Sequence, residues 1–404
     1  MHTLLIHQGF ASPNEPGGTR HFELARRAVE RGHRFTVVAS DISYITASRT
    51  GSVKADEMIE GIRVLRAFTH RSLHGGFIGR LFSFISFAAS SIVKALGAGK
   101  VDLVMGTSPP IFQAASAWLV AALRRRPLLL EIRDLWPEFA IDMGILKNPV
   151  LIRLSRWLER FLYSRATHLL VNSPAYVDYL RGKGVPPSKI TLLPNGVDPQ
   201  MFDPAGDGNG LRRKLDLDGK FVVVYAGAIG PANDLGVLLD AASGLREEQR
   251  IRFLIVGDGK ERRRLQAQAE AHQLENVMFV GAQPKQEMRH YLASADACVA
   301  ILQNIRMFRM TYPNKVFDYM AAGRPVLLAI DGVIRQVVEA ARAGIYVPPG
   351  DPEALAEAVR HLAANVEERE AMSRRGRSYV EKHFNRADQS GQFTRLLEKV
   401  AERR

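Results

Sequence analysis

The chain of 404 residues has a single cysteine, Cys298, which excludes an intramolecular disulfide. Cys298 stands in the apolar run ADACVAIL, a context typical of a buried core residue rather than a catalytic thiol. No cysteines and histidines are spaced as in a zinc site, and we expect no bound metal. The opening stretch MHTLLIHQGF has too short an apolar segment for a signal peptide. We therefore expect a cytoplasmic protein.

Two nucleotide-binding motifs are also missing. The loop after the first predicted strand, ASPNEPGGTR, lacks GxGxxG, and this disfavours a dehydrogenase. The phosphate loop GxxxxGK[ST] does not occur. Aromatic stacking motifs and recognisable nucleic-acid-binding folds are lacking as well, so no nucleic-acid partner is expected.

Long apolar runs are scarce. The longest run of apolar and small residues, Leu81–Val93, has 13 residues and is too short to span a bilayer. The surrounding segment 73–96 has several aromatic residues close to basic ones: Phe77, Phe82, Phe84 and Phe87 beside Arg71, Arg80 and Lys94. This combination fits a helix that dips into a membrane interface. It fits equally a core-facing helix with some exposed apolar surface.

Acidic residues are outnumbered, with 42 Asp and Glu against 55 Lys and Arg, for a net charge of +13. Residues 1–200 hold 25 basic and 15 acidic residues (+10), and residues 201–404 hold 30 and 27 (+3). The excess in the first half indicates an anionic partner there, namely nucleic acid, a membrane surface or a phosphorylated substrate. Basic charge that only aids solubility is the alternative.

The composition, 46% apolar and 24% charged, is that of a folded protein, and the length favours two domains. Runs such as LLLEI and HLLVN lack strict alternation, as expected of strands buried on both faces. The predicted strands are 4–7, 35–39, 62–67, 103–106, 128–132, 169–172, 221–226, 251–256, 277–280, 297–301 and 325–329, with a helix over about 19–31. Because the alternation of β and α units occurs twice, it predicts an α/β protein of two doubly wound, Rossmann-like domains.

The junction is predicted in LPNGVDPQMFDPAGDGNG, residues 193–210, which is dense in Gly, Pro, Asn and Asp. We expect a first domain over 1–197, a second over 198–385, and a helix over about 386–404 that packs back onto the first domain. If the two domains face each other across a cleft, glycine-rich loops at the carboxyl ends of their strands meet at a shared site.

The segment RMTYPNKVFDYMAAGRP, residues 309–325, is the most informative. Asn314 or the backbone before it can cap a short helix that holds Lys315 in its first turn and Gly323 at its end. Free N–H groups, the helix dipole and a lysine suit a diphosphate. Asp318, about one turn further on, can accept hydrogen bonds from a ribose. A capped core helix is the alternative interpretation.

Three loops in matching strand-to-helix positions contain glycines that let backbone approach a ligand. They hold Gly17 and Gly18 after the first strand, Gly227 and Gly230 in YAGAIGPAND, and Gly257 and Gly259 in LIVGDGKERRRL. Each loop by itself fits an ordinary turn. Together with the Pro-Asn-Lys helix they favour a nucleotide site.

Successive blocks of the chain resemble those of family 4 glycosyltransferases, which are retaining enzymes with the GT-B fold. The blocks are GGTRHFELARRAVERGHRFTVV, EIRDLWPE, LLVNSPAYVDYLRGKGV, ITLLPNGVD, LIVGDGKERRRL, NVMFVGAQPKQEMRHYLASADACVAIL and PNKVFDYMAAGRPVL. They follow the family order from residue 4 to about 385. The variants RDLWPE and PNKVFDYMAAG are most similar to the branch of the fucosamine transferase WbuB, which builds bacterial surface polysaccharide.

The resemblance implies roles for individual residues. The donor-binding set is Gly17, Gly18, Gly227, Gly230, Gly257, Gly259, Arg309, Asn314, Lys315 and Asp318. Asp318 matches the second carboxylate of the family's paired-glutamate motif, the ribose ligand, whereas Met310 stands at the first. The family's diphosphate-binding Arg and Lys are absent from YAGAIGPANDLG, and Lys315, helped by Arg306 or Arg309, is expected to compensate.

The implied catalytic residues are Lys315, Asp134 and Arg133. Arg133 stands where many relatives have histidine, and Asp134 matches the aspartate that follows it. Lys315 would stabilise the departing diphosphate, Asp134 would orient the acceptor or the sugar, and Arg133 would contact phosphate. In such a retaining transfer the acceptor hydroxyl attacks on the face from which the diphosphate leaves, without a protein nucleophile. A structural ion pair between Arg133 and Asp134 is the alternative.

The resemblance implies a hexosyltransferase-type enzyme without cofactor or metal, which transfers a sugar from a UDP-sugar to a polyprenyl-diphosphate-linked saccharide in O-antigen or capsule synthesis. The sugar is expected to be an N-acetylated amino sugar. The basic first domain would hold the enzyme peripherally on the inner face of the plasma membrane. A GT-B nucleotide-sugar epimerase or hydrolase, and a basic nucleic-acid- or membrane-binding protein without catalysis, are the alternatives.

Overall fold

The computed structural model describes residues 1–43, 46, 48–49, 56–72, 76–202, 206 and 208–403. The chain divides into two compact units. The first comprises Met1–Ser12, Gly17–Pro194 and Ala387–Arg404, and the second comprises Pro13–Pro16 and Asn195–Arg386. The chain thus passes to the second unit after Pro194 and returns after Arg386, next to the predicted boundaries at 197 and 385. The predicted junction and the segment 73–96 each lie partly outside the described residues.

The first unit is an α/β structure whose elements alternate along the chain. They are β1 (His2–Ile6), α1 (Arg20–Glu30), β2 (Arg34–Ser40), β3 (Asp56–Ile59), β4 (Ile62–Ala67), α2 (Phe77–Leu96), β5 (Leu103–Ser108), α3 (Ile111–Arg124), β6 (Leu128–Ile132), α4 (Glu138–Asp142), α5 (Pro149–Arg165), β7 (His168–Val171), α6 (Pro174–Gly182) and β8 (Ile190–Leu192). The sheet order is β3-β4-β2-β1-β5-β6-β7-β8, and only the β3–β4 pair is antiparallel.

The second unit repeats this architecture with a smaller sheet. Its elements are α7 (Asn209–Lys214), β9 (Phe221–Ala226), α8 (Leu235–Gly244), β10 (Ile251–Val256), α9 (Arg262–Ala271), β11 (Val277–Gly281), α10 (Met288–Ala293), β12 (Ala297–Ile301), α11 (Asn314–Ala321), β13 (Val326–Ala329), α12 (Val333–Ala341), β14 (Gly344–Tyr346), α13 (Pro352–Ala364) and α14 (Val366–His383). The order β11-β10-β9-β12-β13-β14 is parallel throughout.

The strand order places a topological switch point in each sheet. β1 lies between β2 and β5, and β9 lies between β10 and β12, so the connections leave these central strands in opposite directions. In open α/β sheets, ligands bind at the carboxyl ends of the strands beside such a point. The loops that follow β1, β5 and β6 in the first unit, and β9 and β12 in the second, are therefore the places to look for function.

The prediction of two Rossmann-like domains is confirmed, and so are all eleven predicted strands, each within two residues at either end. The central strands among them are buried on both faces, which is why their sequences are continuous apolar runs, whereas β11, at the edge of its sheet, is only partly buried. The three strands that the apolar runs did not predict are β3, β8 and β14. They are four residues long or shorter and only partly buried, so they lack that signal.

The last helix, α15 (Arg386–Ala401), packs into the core of the first unit. Phe393, Leu397 and Val400 are buried there in the same core cluster as Phe22 of α1. A hydrogen bond of 3.0 Å between Glu398 and His33 adds a polar contact. The C-terminal residues therefore complete a core whose other residues come from the first half of the chain.

Helix α2 is longer than the apolar run that indicated it. Within the described residues it is the one helix that is long and apolar enough, by length and composition alone, to cross a membrane. A core helix of a soluble protein can pass the same test. The helix has 20 residues, so the length argument drawn from the 13-residue run does not apply to it. Phe87 is fully buried, whereas Phe82 is 61% exposed.

Candidate functional site

In the second unit, three of the predicted donor residues, Asn314, Lys315 and Asp318, belong to α11, which follows β12 at the switch point. The helix begins at Asn314, with Pro313 in the cap position and no side-chain cap. The Asn314 side chain therefore does not cap the helix, and its Oδ1 is buried without a hydrogen-bond partner among the described residues. Tyr319 fixes the helix to the end of β9, since its hydroxyl accepts from the Ala226 N–H at 2.9 Å and donates to the Ala226 carbonyl at 3.1 Å.

Lys315 extends from the first turn of α11 to the end of β9. Its ammonium donates to the Tyr225 hydroxyl at 2.9 Å and to Asn233 Oδ1 at 3.0 Å. It also lies 4.1 Å from the centre of the Tyr225 ring. Burial lowers the pKa of Lys315 to about 7. This ammonium can therefore gain or lose a proton near neutral pH, and an anion bound beside it would favour the charged form.

Asp318 lies on the same face of α11, three residues after Lys315, and it faces a different cation. Its Oδ2 accepts from Lys285 Nζ at 2.5 Å. Lys285 stands in a 3₁₀ turn, Lys285–Glu287, shortly after β11. Lys285 is not among the residues predicted from the sequence, although a basic residue in a strand-to-helix loop at the carboxyl edge of the sheet is a usable signal.

The glycines of the second unit differ in what they contribute. Gly257 has φ of +155°, and a Cβ there would lie 1.8 Å from the carbonyl oxygen of Gly227. Gly259, also at +155°, packs against the Ile229 carbonyl. These two glycines are needed for backbone packing between neighbouring loops. A Cβ on Gly227 would lie 3.0 Å from Lys315 Nζ, so this glycine leaves room for the ammonium, whereas a Cβ on Gly230 would meet nothing within 4 Å.

Arg309 is not among the residues gathered around Lys315. It lies in a 3₁₀ turn, Arg306–Met310, where Nη2 donates to Asn304 Oδ1 at 3.2 Å and Nε lies 3.9 Å from Asp331 Oδ2. Its side chain is about half exposed. Lys315 instead contacts Tyr225 and Asn233, and Lys285 contacts Asp318.

In the first unit, Arg133 and Asp134 directly follow β6, and each has its own partner. Arg133 Nη1 lies 3.3 Å from His7 Nε2, and Asp134 accepts a hydrogen bond from the Tyr176 hydroxyl. The described residues contain no ion pair between Arg133 and Asp134, so the structural-pair interpretation has no support here. Burial raises the pKa of Asp134 to about 6, against the opposing effects of Arg133 and Tyr176.

His7, which follows β1, belongs to a buried polar network that the sequence analysis did not identify. Because arginine only donates, its contact with Arg133 assigns Nε2 as an acceptor, and Nδ1 then donates to Thr107 Oγ1 at 3.0 Å. The His7 and His21 rings lie 4.3 Å apart. Burial, together with the charges of His21 and Arg133, lowers the pKa of His7 well below its ordinary value.

Glu131, on β6, is the anion of this network and is fully buried. Its carboxylate accepts from Arg20 Nε at 2.9 Å and pairs with His21 Nε2 at 2.5 Å. Burial alone would raise the pKa of Glu131, but His21 and Arg20 outweigh it and hold the pKa well below its usual range. Arg20 also donates to the carbonyls of Leu193 and Pro194, the last residues before the chain enters the second unit.

The loop after β1 is shared between the units. Gly17 has φ of +145°, which favours glycine, and a Cβ there would lie 3.1 Å from Ala11 Cβ. Gly17 and Gly18 belong to the first unit, whereas Pro13–Pro16 belong to the second. Within the described residues, no three His, Cys, Asp or Glu side chains are grouped so as to hold a metal ion. Cys298 is buried, and this burial raises its pKa.

Models of known protein families match both halves of the chain. A model of the glycosyl transferase 4-like domain matches residues 17–196, and a model of glycosyl transferases group 1 matches residues 220–365. A GDP-mannose-dependent alpha-mannosyltransferase of Mycobacterium tuberculosis is 27% identical over 82% of this chain and 80% of its own length. The putative colanic acid biosynthesis glycosyl transferase WcaI of Escherichia coli is 27% identical over 70% of this chain and 71% of its own.

A solved structure shares the fold across the whole chain. The crystal structure of Anabaena HepE in complex with UDP and glucose superposes with a TM-score of 0.74 at 18% identity, covering 99% of this chain and 100% of that one. Two domain models that together match most of the chain, two parallel Rossmann-like sheets and this similarity agree. The chain belongs to the GT-B glycosyltransferases of family 4 and is a glycosyltransferase.

Proposed function

We propose that this glycosyltransferase transfers a sugar, with retention, from a UDP-sugar to a lipid-linked saccharide in the synthesis of a bacterial surface polysaccharide. The observation that carries the proposal is the group of Lys315, Asp318 and Lys285 around the N-terminus of α11. The similarity to a colanic acid enzyme supports the polysaccharide pathway. The similarity to HepE, which was solved with UDP and glucose, supports UDP.

The donor chemistry follows from these side chains. Negative charge grows on the β-phosphate as the bond from the anomeric carbon to the phosphate oxygen breaks. Lys315 and the N–H groups of the first turn of α11 stabilise that charge. The acceptor hydroxyl forms the new bond to the same carbon and gives its proton to the departing diphosphate. Asp318 accepts from the ribose, and the Gly227 loop leaves room beside the Lys315 ammonium.

The acceptor side belongs to the first unit in this proposal. Asp134, with a pKa raised to about 6, orients the acceptor hydroxyl or the transferred sugar, and Arg133, positioned by His7, contacts a phosphate. The motifs RDLWPE and PNKVFDYMAAG, which resemble the WbuB branch, support an N-acetylated amino sugar as the group transferred. We also propose that turnover needs no metal, so that EDTA leaves the rate unchanged.

A thermal-shift panel of UDP, GDP, dTDP, ADP, CMP and NAD on the purified chain tests the donor site. A ligand at 100 times its Kd adds about 2.7 kcal/mol of stability. We expect the largest shift with UDP in the wild type and little or no shift in Lys315→Met. A wild type that responds to none of the diphosphates, or to NAD alone, would contradict the proposal.

GDP-mannose is the second candidate donor, because the relative that matches 82% of this chain is named for it. The same panel separates the two, since a selective GDP shift identifies a GDP-sugar. Turnover then distinguishes transfer from the epimerase or hydrolase alternative. A transferase consumes the nucleotide sugar only when a polyprenyl-diphosphate saccharide is supplied, whereas an epimerase or hydrolase acts without it.

Peripheral membrane binding through the first unit is the remaining part of the proposal. The layer formed by helices α2, α3 and α5 carries seven basic residues and one acidic residue, Glu159, which is buried. Its exposed large apolar residues are Phe82, Ile85, Val93, Leu96, Leu123, Val150, Leu151, Leu154 and Trp157. Apolar side chains surrounded by basic ones suit an anionic membrane surface, here the inner face of the plasma membrane.

Vesicle flotation tests this surface. We expect the chain to bind vesicles rich in phosphatidylglycerol at low salt, to bind less as salt increases, and not to bind neutral phosphatidylcholine vesicles, because basic residues provide the long-range attraction. Equal binding to neutral and anionic vesicles would indicate apolar adsorption alone. Absence of binding at low salt would contradict the membrane proposal and leave the donor site untouched.

A further inference from the structure

Lys285 has no role among the residues predicted from the sequence or implied by the family resemblance. Its ammonium lies 2.5 Å from Asp318 Oδ2 and 5.3 Å from the centre of the Phe202 ring. The side chain of Lys285 is 13% exposed and that of Asp318 17%. A lysine with an ordinary surface role extends into water, whereas this one is withdrawn onto the carboxylate expected to bind the ribose.

The ammonium of Lys285 can donate further hydrogen bonds. It has three N–H donors, and among the described residues the hydrogen bond to Asp318 uses one of them. Withdrawing an ammonium from water is costly unless its donors are satisfied. Phosphate oxygens are suitable acceptors for the remaining donors, and a charged donor makes such bonds stronger than neutral ones.

Lys285 supplies a positive charge that the loop after β9 lacks. Residues 227–236, GAIGPANDLG, follow β9 and contain neither arginine nor lysine. Lys315 contacts the end of β9, and Asp318, on the same helical face, contacts Lys285 in the turn after β11. Two cations therefore lie along this face of α11: Lys315 belongs to the helix, and Lys285 contacts it through Asp318.

The turn that carries Lys285 is held in place by backbone contacts within the second unit. The Lys285 N–H donates to the Glu15 carbonyl at 3.3 Å, and the Gln286 N–H donates to the Pro13 carbonyl at 3.2 Å. Gln286 Nε2 also donates to Asn14 Oδ1 at 2.6 Å. The ammonium is thus presented by a braced turn, which lowers the entropy cost of holding it against a ligand.

We propose that Lys285, positioned by Asp318, is the second cation of the donor site and binds the diphosphate of the nucleotide sugar in place of the cations missing after β9. The inference rests on the proposed donor site. When a nucleoside diphosphate binds, the ribose hydroxyls donate to Asp318, and the free N–H groups of Lys285 donate to phosphate oxygens.

Calorimetric titration of the full chain with UDP and with uridine tests the proposal, with GDP and guanosine used if the wild type prefers GDP. A charge-assisted hydrogen bond corresponds to about 10- to 100-fold in Kd. We expect Lys285→Met to weaken UDP binding by about that factor and uridine binding much less. Lys285→Arg, which keeps the charge, should retain most of the preference for UDP over uridine.

The matched control is Lys382→Met, which removes an exposed lysine from α14 and should bind UDP like the wild type. Thermal unfolding without ligand checks that each variant is folded. Equal losses for UDP and uridine would mean that Lys285 only orients Asp318 and would overturn the inference, as would unchanged UDP binding. A wild type that binds no nucleoside diphosphate would overturn the donor site itself.

Discussion

Lys315 illustrates how one side chain sets the pH dependence of a site. Burial against Tyr225 and Gly227 lowers its pKa to about 7, so in the empty site its charge is present below pH 7 and lost above it. A bound diphosphate favours the charged ammonium and raises that pKa. Binding of the nucleotide therefore takes up a proton when the pH is above 7.

We expect the affinity for UDP to decrease as pH rises from 7 to 9, because the empty site must first protonate Lys315. Lys315→Met should bind UDP weakly and show a flatter profile, and its turnover should be largely abolished while the fold is retained. Calorimetry in buffers of different ionisation enthalpy measures both the affinity and the proton uptake. Equal pH profiles for wild type and variant would show that another group controls the dependence.

Glu131 is a second residue whose surroundings determine its contribution. It is fully buried between Arg20 and His21, which hold its pKa well below the ordinary value of 4.5. Because the folded-state pKa is depressed, the stabilisation is complete above the unfolded pKa and is lost as pH decreases below about 4.5.

Glu131→Gln should lower the free energy of unfolding by about 3–5 kcal/mol at pH 7, since Arg20 loses its buried counter-charge and His21 loses its carboxylate partner. The difference from wild type should shrink below pH 4. Urea unfolding at several pH values measures it. Glu30→Gln is the control, because Glu30 is in exposed pairs with Arg26 and Arg27 and should cost about 1 kcal/mol or less. A similar cost for both variants would contradict the assignment.

At the scale of elements, helices α2 and α5 each carry a row of exposed apolar side chains. On α2 the exposed residues Phe82, Ile85, Val93 and Leu96 recur at helical spacing, and on α5 Leu151, Leu154 and Trp157 do the same. Helix α3 packs against both. The sequence pattern indicates only the first of these helices, because its aromatic residues stand in a long apolar run, whereas in α5 arginines interrupt the apolar residues at short intervals.

A paired substitution tests each helix. Phe82→Glu with Val93→Glu on α2, or Leu154→Glu with Trp157→Glu on α5, should strongly reduce binding to anionic vesicles, since each places carboxylates against the lipid head groups. Val366→Glu, an exposed apolar position in the second unit, is the matched control and should bind like the wild type. Flotation measures binding. A loss confined to one pair would assign the contact to that helix alone.

At the scale of the molecule, the two units have separate cores. The donor residues Lys315, Asp318 and Lys285 all belong to the second unit, and α15 joins the core of the first. Two separate cores can unfold in two steps, and a single free energy of unfolding then does not describe the chain.

We expect calorimetry to resolve two unfolding transitions and UDP to raise the temperature of one of them. At 100 times its Kd, UDP adds about 2.7 kcal/mol. This corresponds to roughly 5–10 °C for a unit of 150–250 residues. Deletion of residues 387–404 should lower only the other transition, because it removes Phe393, Leu397 and Val400 from the first core. A single transition that shifts as a whole would show that the units unfold cooperatively.

The sequence predicted the central strands because each is buried on both faces and so appears as an apolar run. It also located α11, since Pro313 and Gly323 mark its limits and the residues between them have helical periodicity. The short strands β3, β8 and β14 lack such a run. Of the two caps that the sequence left open, the backbone before Asn314 is the correct one, because Pro313 occupies the cap position and the Asn314 side chain does not cap the helix.

The sequence by itself determined the fold class, the family and the identity of the charged groups, because these depend on local pattern and on residue type. Tertiary structure alone decided which charges meet. Lys285 and Asp318 are 33 residues apart, and His7 and Arg133 are 126 apart. Contacts over such separations arise from strand order, since parallel strands bring the loops at their carboxyl ends to one edge of the sheet. Burial at that edge then sets the pKa of Lys315 and Asp134, a property that neither residue has in the linear chain.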